Sequence, residues 1–221
     1  MKANFLTAAL ALAALTGPVA AQTIEGNVAL TTNYVFRGIS QTGDGPAVSG
    51  GFDIAAESGL YAGVWGSSVD FSDDTTMELD LYIGQSWEAA GFGFDVGGIY
   101  YLYPDSPDGQ NFLEIYGGVS HALGPLEWDA SLAYSPEFYG EIGPGWYVST
   151  GLALPINDTV SIDARVGASR FDDLSSADYE DYQLGISGTV FENVGWDVRY
   201  FSASDGGDDG VFATISQSFG G

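Results

Sequence analysis

The 221-residue sequence predicts an all-β transmembrane protein. The expected architecture is an antiparallel up-and-down β-barrel of about twelve strands over residues 22–221, behind a cleaved signal peptide over residues 1–21. Three observations carry that expectation. Segment after segment alternates with period two, one side uniformly apolar and the other bearing charges. Connections between segments are short, then long and acidic, in turn, as periplasmic turns and external loops are. Thirty acids face five bases for a net charge of −25, yet 45% of residues are apolar. Such a chain is not a disordered acidic tail.

The elements follow in order. Lys2, the apolar run Phe5 to Leu15, the Gly17-Pro18 break and the small residues Val19-Ala20-Ala21 read as an export signal cut after Ala21. Its loss removes the only lysine and takes the net charge to −26. No later stretch is apolar over the ~20 residues that a spanning helix needs. Strands are expected at 27–38, 47–57, 60–70, 77–87, 92–103, 111–121, 126–135, 146–154, 159–170, 181–190, 194–202 and 211–219.

The clearest strand sets Met77, Leu79, Leu81 and Ile83 against Glu78, Asp80 and Tyr82. Another sets Val160, Ile162, Ala164 and Val166 against Ser161, Asp163, Arg165 and Gly167. Charges at every second position are costly to bury in a sandwich core, so the apolar side faces lipid and the polar side a lumen. The least regular strand, 60–70, places Tyr61 and Trp65 inside if Leu60, Ala62 and Val64 face out.

Aromatic residues mark two belts on the apolar side. Tyr34, Phe36, Tyr100, Tyr134, Trp146, Tyr182 and Tyr200 form the external one; Trp87, Phe92, Phe94, Trp128, Trp196 and Phe219 form the periplasmic one. The last strand ends near Phe219, as a segment read by barrel-assembly machinery does.

Specific words add to this pattern. NYVFRGISQT at Asn33 to Thr42, PAVSGGFD at Pro46 to Asp53, ESGLYAGVWGSSVDF at Glu57 to Phe71 and ELDLYIG at Glu78 to Gly84 resemble the TorF-like porins of proteobacterial outer membranes. The resemblance implies a small outer-membrane barrel acting as a pore. It brings no catalytic or ligand residues with it.

The expected lumen carries Asp53, Glu57, Glu78, Asp80, Asp95, Glu114, Glu127, Asp129, Asp163, Asp181 and Asp197 against Arg37, Arg165 and Arg199. That is an interior charge of about −8, and carboxylate rings favour cations. Arg37 and Arg199, near the external ends of their strands, would face an arc of Glu78, Asp80, Glu114 and Asp181 at a constriction. Three arginines cannot neutralise eleven acids, so some acids are expected to meet water or cations. The function expected is a narrow channel for cations and small cationic or neutral solutes. The alternative is a non-conducting structural or adhesive outer-membrane barrel with an acidic external rim that binds divalent cations.

Partners expected are outer-membrane lipid and lipopolysaccharide, which divalent ions would bridge to the acidic rim. Asp205, Asp208 and Asp209 offer oxygen ligands for Ca2+, though without EF-hand spacing. No other cofactor is expected. So acidic a surface repels nucleic acid, and the lack of cysteine removes thiolate chemistry and Cys-ligated metals. The lone His121 lies beside Ser120 at a periplasmic strand end with no orienting acid, which argues against an enzyme.

Overall fold

The computed structural model describes residues 23–104, 106, 109–191, 193–204, 207 and 209–220; the expected signal peptide and cleavage site lie outside them. The strands are β1 (Thr23–Thr31), β2 (Val35–Phe36), β3 (Ile39–Ser40), β4 (Ala47–Ala55), β5 (Leu60–Ser68), β6 (Met77–Ala89) and β7 (Phe92–Leu102). They continue with β8 (Phe112–Leu123), β9 (Leu126–Ser135), β10 (Gly145–Asn157), β11 (Val160–Phe171), β12 (Tyr179–Val190), β13 (Val194–Ala203) and β14 (Asp209–Gly220). All but β2 and β3 join one closed antiparallel barrel of twelve strands. Sequential neighbours pair around the wall, and β1 closes it by pairing with both β14 and β4.

The wall is inside-out relative to a soluble protein. Leu81, Ile83, Val96, Ile115, Val148 and Leu184 are exposed on its outer face, while Glu78, Asp80, Asp95, Glu114, Asp181 and Asp197 are buried within. Tyr100, Trp146, Tyr182 and Tyr200 are exposed toward one rim, and Trp87 and Phe219 toward the other. Ring pairs reinforce the belts: Tyr134 with Trp146 at 4.3 Å, Trp87 with Phe94 at 5.4 Å, and Phe52 with Phe219 at 5.9 Å.

The abundance of glycine has a steric reason. Gly63, Gly84 and Gly97 sit opposite Tyr82, Tyr61 and Tyr116 in register, and a Cβ at any of them would strike the facing tyrosine hydroxyl. Each ring therefore lies flat across the neighbouring strand; the hydroxyls of Tyr61 and Tyr82 are carried on to Asp95 and Asp53, and that of Tyr116 to Tyr61.

One expected strand is corrected. The segment 27–38 is not a single wall strand: β1 ends at Thr31, and Tyr34 and Phe36 leave the wall for the interior. Asn33 turns the chain inward. Its Nδ2 donates to Asp44 Oδ1 at 2.9 Å, and its Oδ1 accepts from Ser40 Oγ at 2.7 Å and Thr42 Oγ1 at 3.2 Å. Between these anchors β2 and β3 form a small hairpin whose two turn residues, Arg37 and Gly38, have φ of 47° and 79°. Positive φ at both positions is the signature of a type I′ hairpin turn. The alternation that seemed to continue β1 belongs to this second extended segment.

Candidate functional site

The hairpin lies across the half of the lumen nearer the long connections, and the barrel's core is built around it. Tyr34 packs with Ala47 and Val69 and meets Trp65 edge-on at 5.5 Å. Val35 packs on the opposite side against Phe201 and Phe212. Phe36 lies against the cluster of Ile99, Tyr101, Tyr103, Phe112, Tyr116 and Tyr147. A Cβ at Gly38 would come 2.7 Å from Asp181 Cβ and 3.2 Å from the Ser202 carbonyl, so the tip touches β12 and β13. One hairpin thus reaches β5, β7, β12, β13 and β14.

The size of the barrel makes this an obstruction. Twelve strands spaced ~4.8 Å apart and tilted ~40° give a backbone diameter of ~24 Å, or ~12 Å of clear space inside the side chains. A two-stranded hairpin with its side chains is ~10 Å across. Above it, three long connections contribute a lid of Phe71, Tyr103 and Tyr139, with ring centroids 5.4 to 5.6 Å apart. Hydrogen bonds tie two of these loops together: Asp73 accepts from the Thr75 backbone at 2.7 Å and from Gln110 Nε2 at 3.0 Å. The bonds from Thr75, then that from Gln110, hold the exposed Asp73 carboxyl below the usual carboxylate range.

Polar groups pin the hairpin. Arg37 donates to both oxygens of Glu114, at 2.8 and 2.7 Å, and its guanidinium carbon lies 4.2 Å from the Tyr147 ring centroid and 4.6 Å from that of Phe36. Tyr101 Oη adds a bond to Glu114 at 3.1 Å. Glu78 accepts from Tyr34 at 2.7 Å and from Tyr103 at 2.8 Å, so it grips hairpin and lid together. Asp80 and Asp181 are as deeply buried, yet Asp80 Oδ1 and Asp181 Oδ2 have no partner. Tyr147 reaches the other oxygen of Asp181 at 3.3 Å.

Over residues 15–216 the sequence matches the family described as "Bacterial protein of unknown function (Gcw_chp)". The chain belongs to the Gcw_chp family. No curated protein is significantly similar to it in sequence. Among solved structures it resembles the KdgM porin, with TM-score 0.60, 8% identity, and coverage of 89% of this chain and 98% of that one. KdgM has also been solved in complex with disordered oligogalacturonate (TM-score 0.59, 8% identity, the same coverage). The NanC porin gives 0.59, 7%, 89% and 98%. An outer membrane channel from Pseudomonas putida F1 gives 0.57, 7%, 92% and 97%. At such identities the likeness is one of fold.

Within this Gcw_chp barrel the six residues of the expected constriction are divided. Arg37 and Glu114 are joined directly, Glu78 reaches the hairpin through Tyr34, and Asp181 meets it at Gly38. Asp80 is buried near Glu78 and Glu114. Arg199 is engaged elsewhere: it bonds Asp163 at 2.5 and 3.0 Å and Asp197 at 2.9 Å, and no pair of arginines forms with Arg37.

The acid surplus is also handled differently from the arginine arithmetic. Tyrosine hydroxyls take several carboxylates: Tyr61 bonds Asp95 at 2.8 Å, Tyr82 bonds Asp53, and Tyr61 meets Tyr116 at 2.6 Å. Alternation had already turned Tyr61 and Tyr82 inward, but their role was missed because the count weighed charges only. The small-against-large pairs Gly63–Tyr82 and Gly97–Tyr116 were the available signal.

Asp205 and Asp208 lie outside the described residues, while Asp209 opens β14 opposite Ser202. Among the described residues no group of three or more acids or histidines is arranged to hold a metal. His121 stacks on Phe92 at 4.3 Å, and its Nδ1 lies 2.8 Å from the Gly91 carbonyl.

Proposed function

We propose that the protein is an outer-membrane channel of the porin type, closed in its external half by the β2–β3 hairpin and selective for cations when that hairpin yields. The observation that carries the reading is the placement of charge. An apolar outer wall encloses many acids, and Arg37, Arg165 and Arg199 each already hold a carboxylate. Away from the hairpin, Arg165 and Asp129, bonded at 2.8 Å, are each 35% exposed, so this part of the interior stays open to solvent.

KdgM has been solved with oligogalacturonate, a polyanion. The interior here carries a surplus of acids, which supports passage of cations and small cationic or neutral solutes. The resemblance to TorF-like porins, which is strong over the hairpin and β4 to β6, supports a pore and is silent on its selectivity. The reading includes an outer-membrane location, folding by barrel-assembly machinery acting on β14, and lipopolysaccharide bridged to the acidic rim by divalent cations. It is a transport role and not an enzymatic one.

The filled external half favours a second reading, a non-conducting structural barrel. Reversal potentials across planar bilayers in a salt gradient separate the two, with Tyr34–Gln41 replaced by a short Gly-Ser linker. The expected result is a cation-preferring potential. Adding E78Q and D80N should roughly halve the cation-to-anion permeability ratio by removing two wall charges. An anion preference sinks the cation reading, and a folded barrel that never conducts establishes the structural one.

A further inference from the structure

The hairpin's arginine occupies a place built for more positive charge than it supplies. Arg37 is held by paired hydrogen bonds to Glu114 and an aromatic face on Tyr147, the combination by which proteins recognise a free guanidinium. All the components are nine-tenths or more buried: Arg37 is 9% exposed, Glu114 2%, Tyr101 2% and Tyr147 9%. Two further carboxylate oxygens, Asp80 Oδ1 and Asp181 Oδ2, are enclosed there without a donor. Asp80 stands opposite Tyr101 in register, and Tyr101 bonds Glu114. Asp181 contacts Gly38 and shares the Tyr147 hydroxyl. Buried acceptors without donors are costly, and a donor group reaching either oxygen would offset that cost.

The backbone argues likewise. Arg37 sits at φ 47°, where glycine or asparagine would suit the turn better, so the turn does not explain the arginine. Arg199, by contrast, is satisfied by Asp163 and Asp197 and leaves nothing over.

We propose that this pocket is the channel's solute site, that it takes an organic dication bearing a guanidinium and a second ammonium group, and that Arg37 fills it as a tethered stand-in. The solute's guanidinium replaces that of Arg37 on Glu114 and Tyr147, and its ammonium reaches Asp80 or Asp181. Binding at this site releases the hairpin tip, so the solute opens its own path. The inference rests on the channel reading for its purpose, but its test needs no conduction.

The probe is agmatine, added to the full-length chain folded in phospholipid vesicles, with unfolding midpoint and calorimetric binding as readouts. R37A should bind agmatine and be stabilised by it. The intact protein should respond at least about tenfold more weakly, because Arg37 competes. Adding E114Q to R37A should lower affinity by about tenfold or more, as loss of a bidentate charged pair does. Propylguanidine, with one charge, should bind R37A less tightly than agmatine, and D80N should narrow that difference.

If R37A does not fold, R37M keeps the volume and is judged by the same outcomes. No agmatine binding by the folded variant, or binding indifferent to E114Q, overturns the proposal. Binding in a barrel that never conducts would uphold this site and overturn the channel reading alone.

Discussion

Removing the hairpin, by replacing Tyr34–Gln41 with a short Gly-Ser linker, is expected to turn a closed barrel into an open one. Single-channel conductance should rise about tenfold or more over that of the intact chain, because a ~10 Å obstruction leaves a ~12 Å gap. The wall should survive the change. β1 and β4 pair from Thr23↔Ala55 to Thr31↔Ala47 without the hairpin, and β14 closes the other side of β1. What is lost is interior packing around Tyr34, Val35 and Phe36, which lowers stability but leaves every wall ladder intact. Heat-modifiable migration on gels checks that the barrel is folded before any recording. Unchanged conductance in a folded variant would mean that the lid or the loops, and not the hairpin, close the external half.

The second large effect concerns Glu114. E114A leaves the Arg37 guanidinium buried at 9% exposure with its main partner gone. Breaking one side of a buried ion pair costs about 3–5 kcal/mol, whereas replacing both sides with apolar groups of similar volume is often neutral. Urea unfolding in phospholipid vesicles should therefore show E114A strongly destabilised and R37M/E114L close to the parent. The hairpin sets a ceiling on the loss: once its docking is worth less than the unpaired charge costs, Arg37 escapes to water and the barrel opens. E114A should then show frequent conductance steps as well as reduced stability. Equal losses for E114A and R37M/E114L would show that the pair does not anchor the hairpin.

The wall was legible because its physics is local. Met77 to Ile83 alternates without a break, and the structure places Glu78 and Asp80 inside and Leu81 and Ile83 outside. Even the irregular segment from Leu60 put Tyr61 and Trp65 on the inner side, where they bond Asp95 and pack on Tyr34. The hairpin was not legible, because Tyr34 and Phe36 keep the parity of Val28 and Leu30. Period two reports an extended chain and not the surface it lies on. The turn was hidden too, since arginine at positive φ is not a recognisable turn signal.

The site was half visible. Glu78, Asp80, Glu114 and Asp181 were placed inward from alternation, but their partners depend on register across strands far apart in sequence. Tyr61 and Tyr116 meet over Asp95 only because Gly84 and Gly97 leave room for their rings. Charge counting could not see that neutral hydroxyls would take up carboxylates.

The central claim is that the hairpin's position decides whether the barrel conducts, and a reversible tether tests it most directly. Val35 packs against Phe201 of β13, so a cysteine at each position can be joined by a short reducible cross-link that leaves the turn at Arg37 and Gly38 untouched. The chain has no cysteine to interfere. V35C and F201C, cross-linked and added to E114Q to loosen the hairpin, give a barrel whose current is recorded before and after reductant. The account predicts silence when oxidised and cation-selective steps within the same bilayer once the bond is reduced. Equal conductance in both states would contradict it.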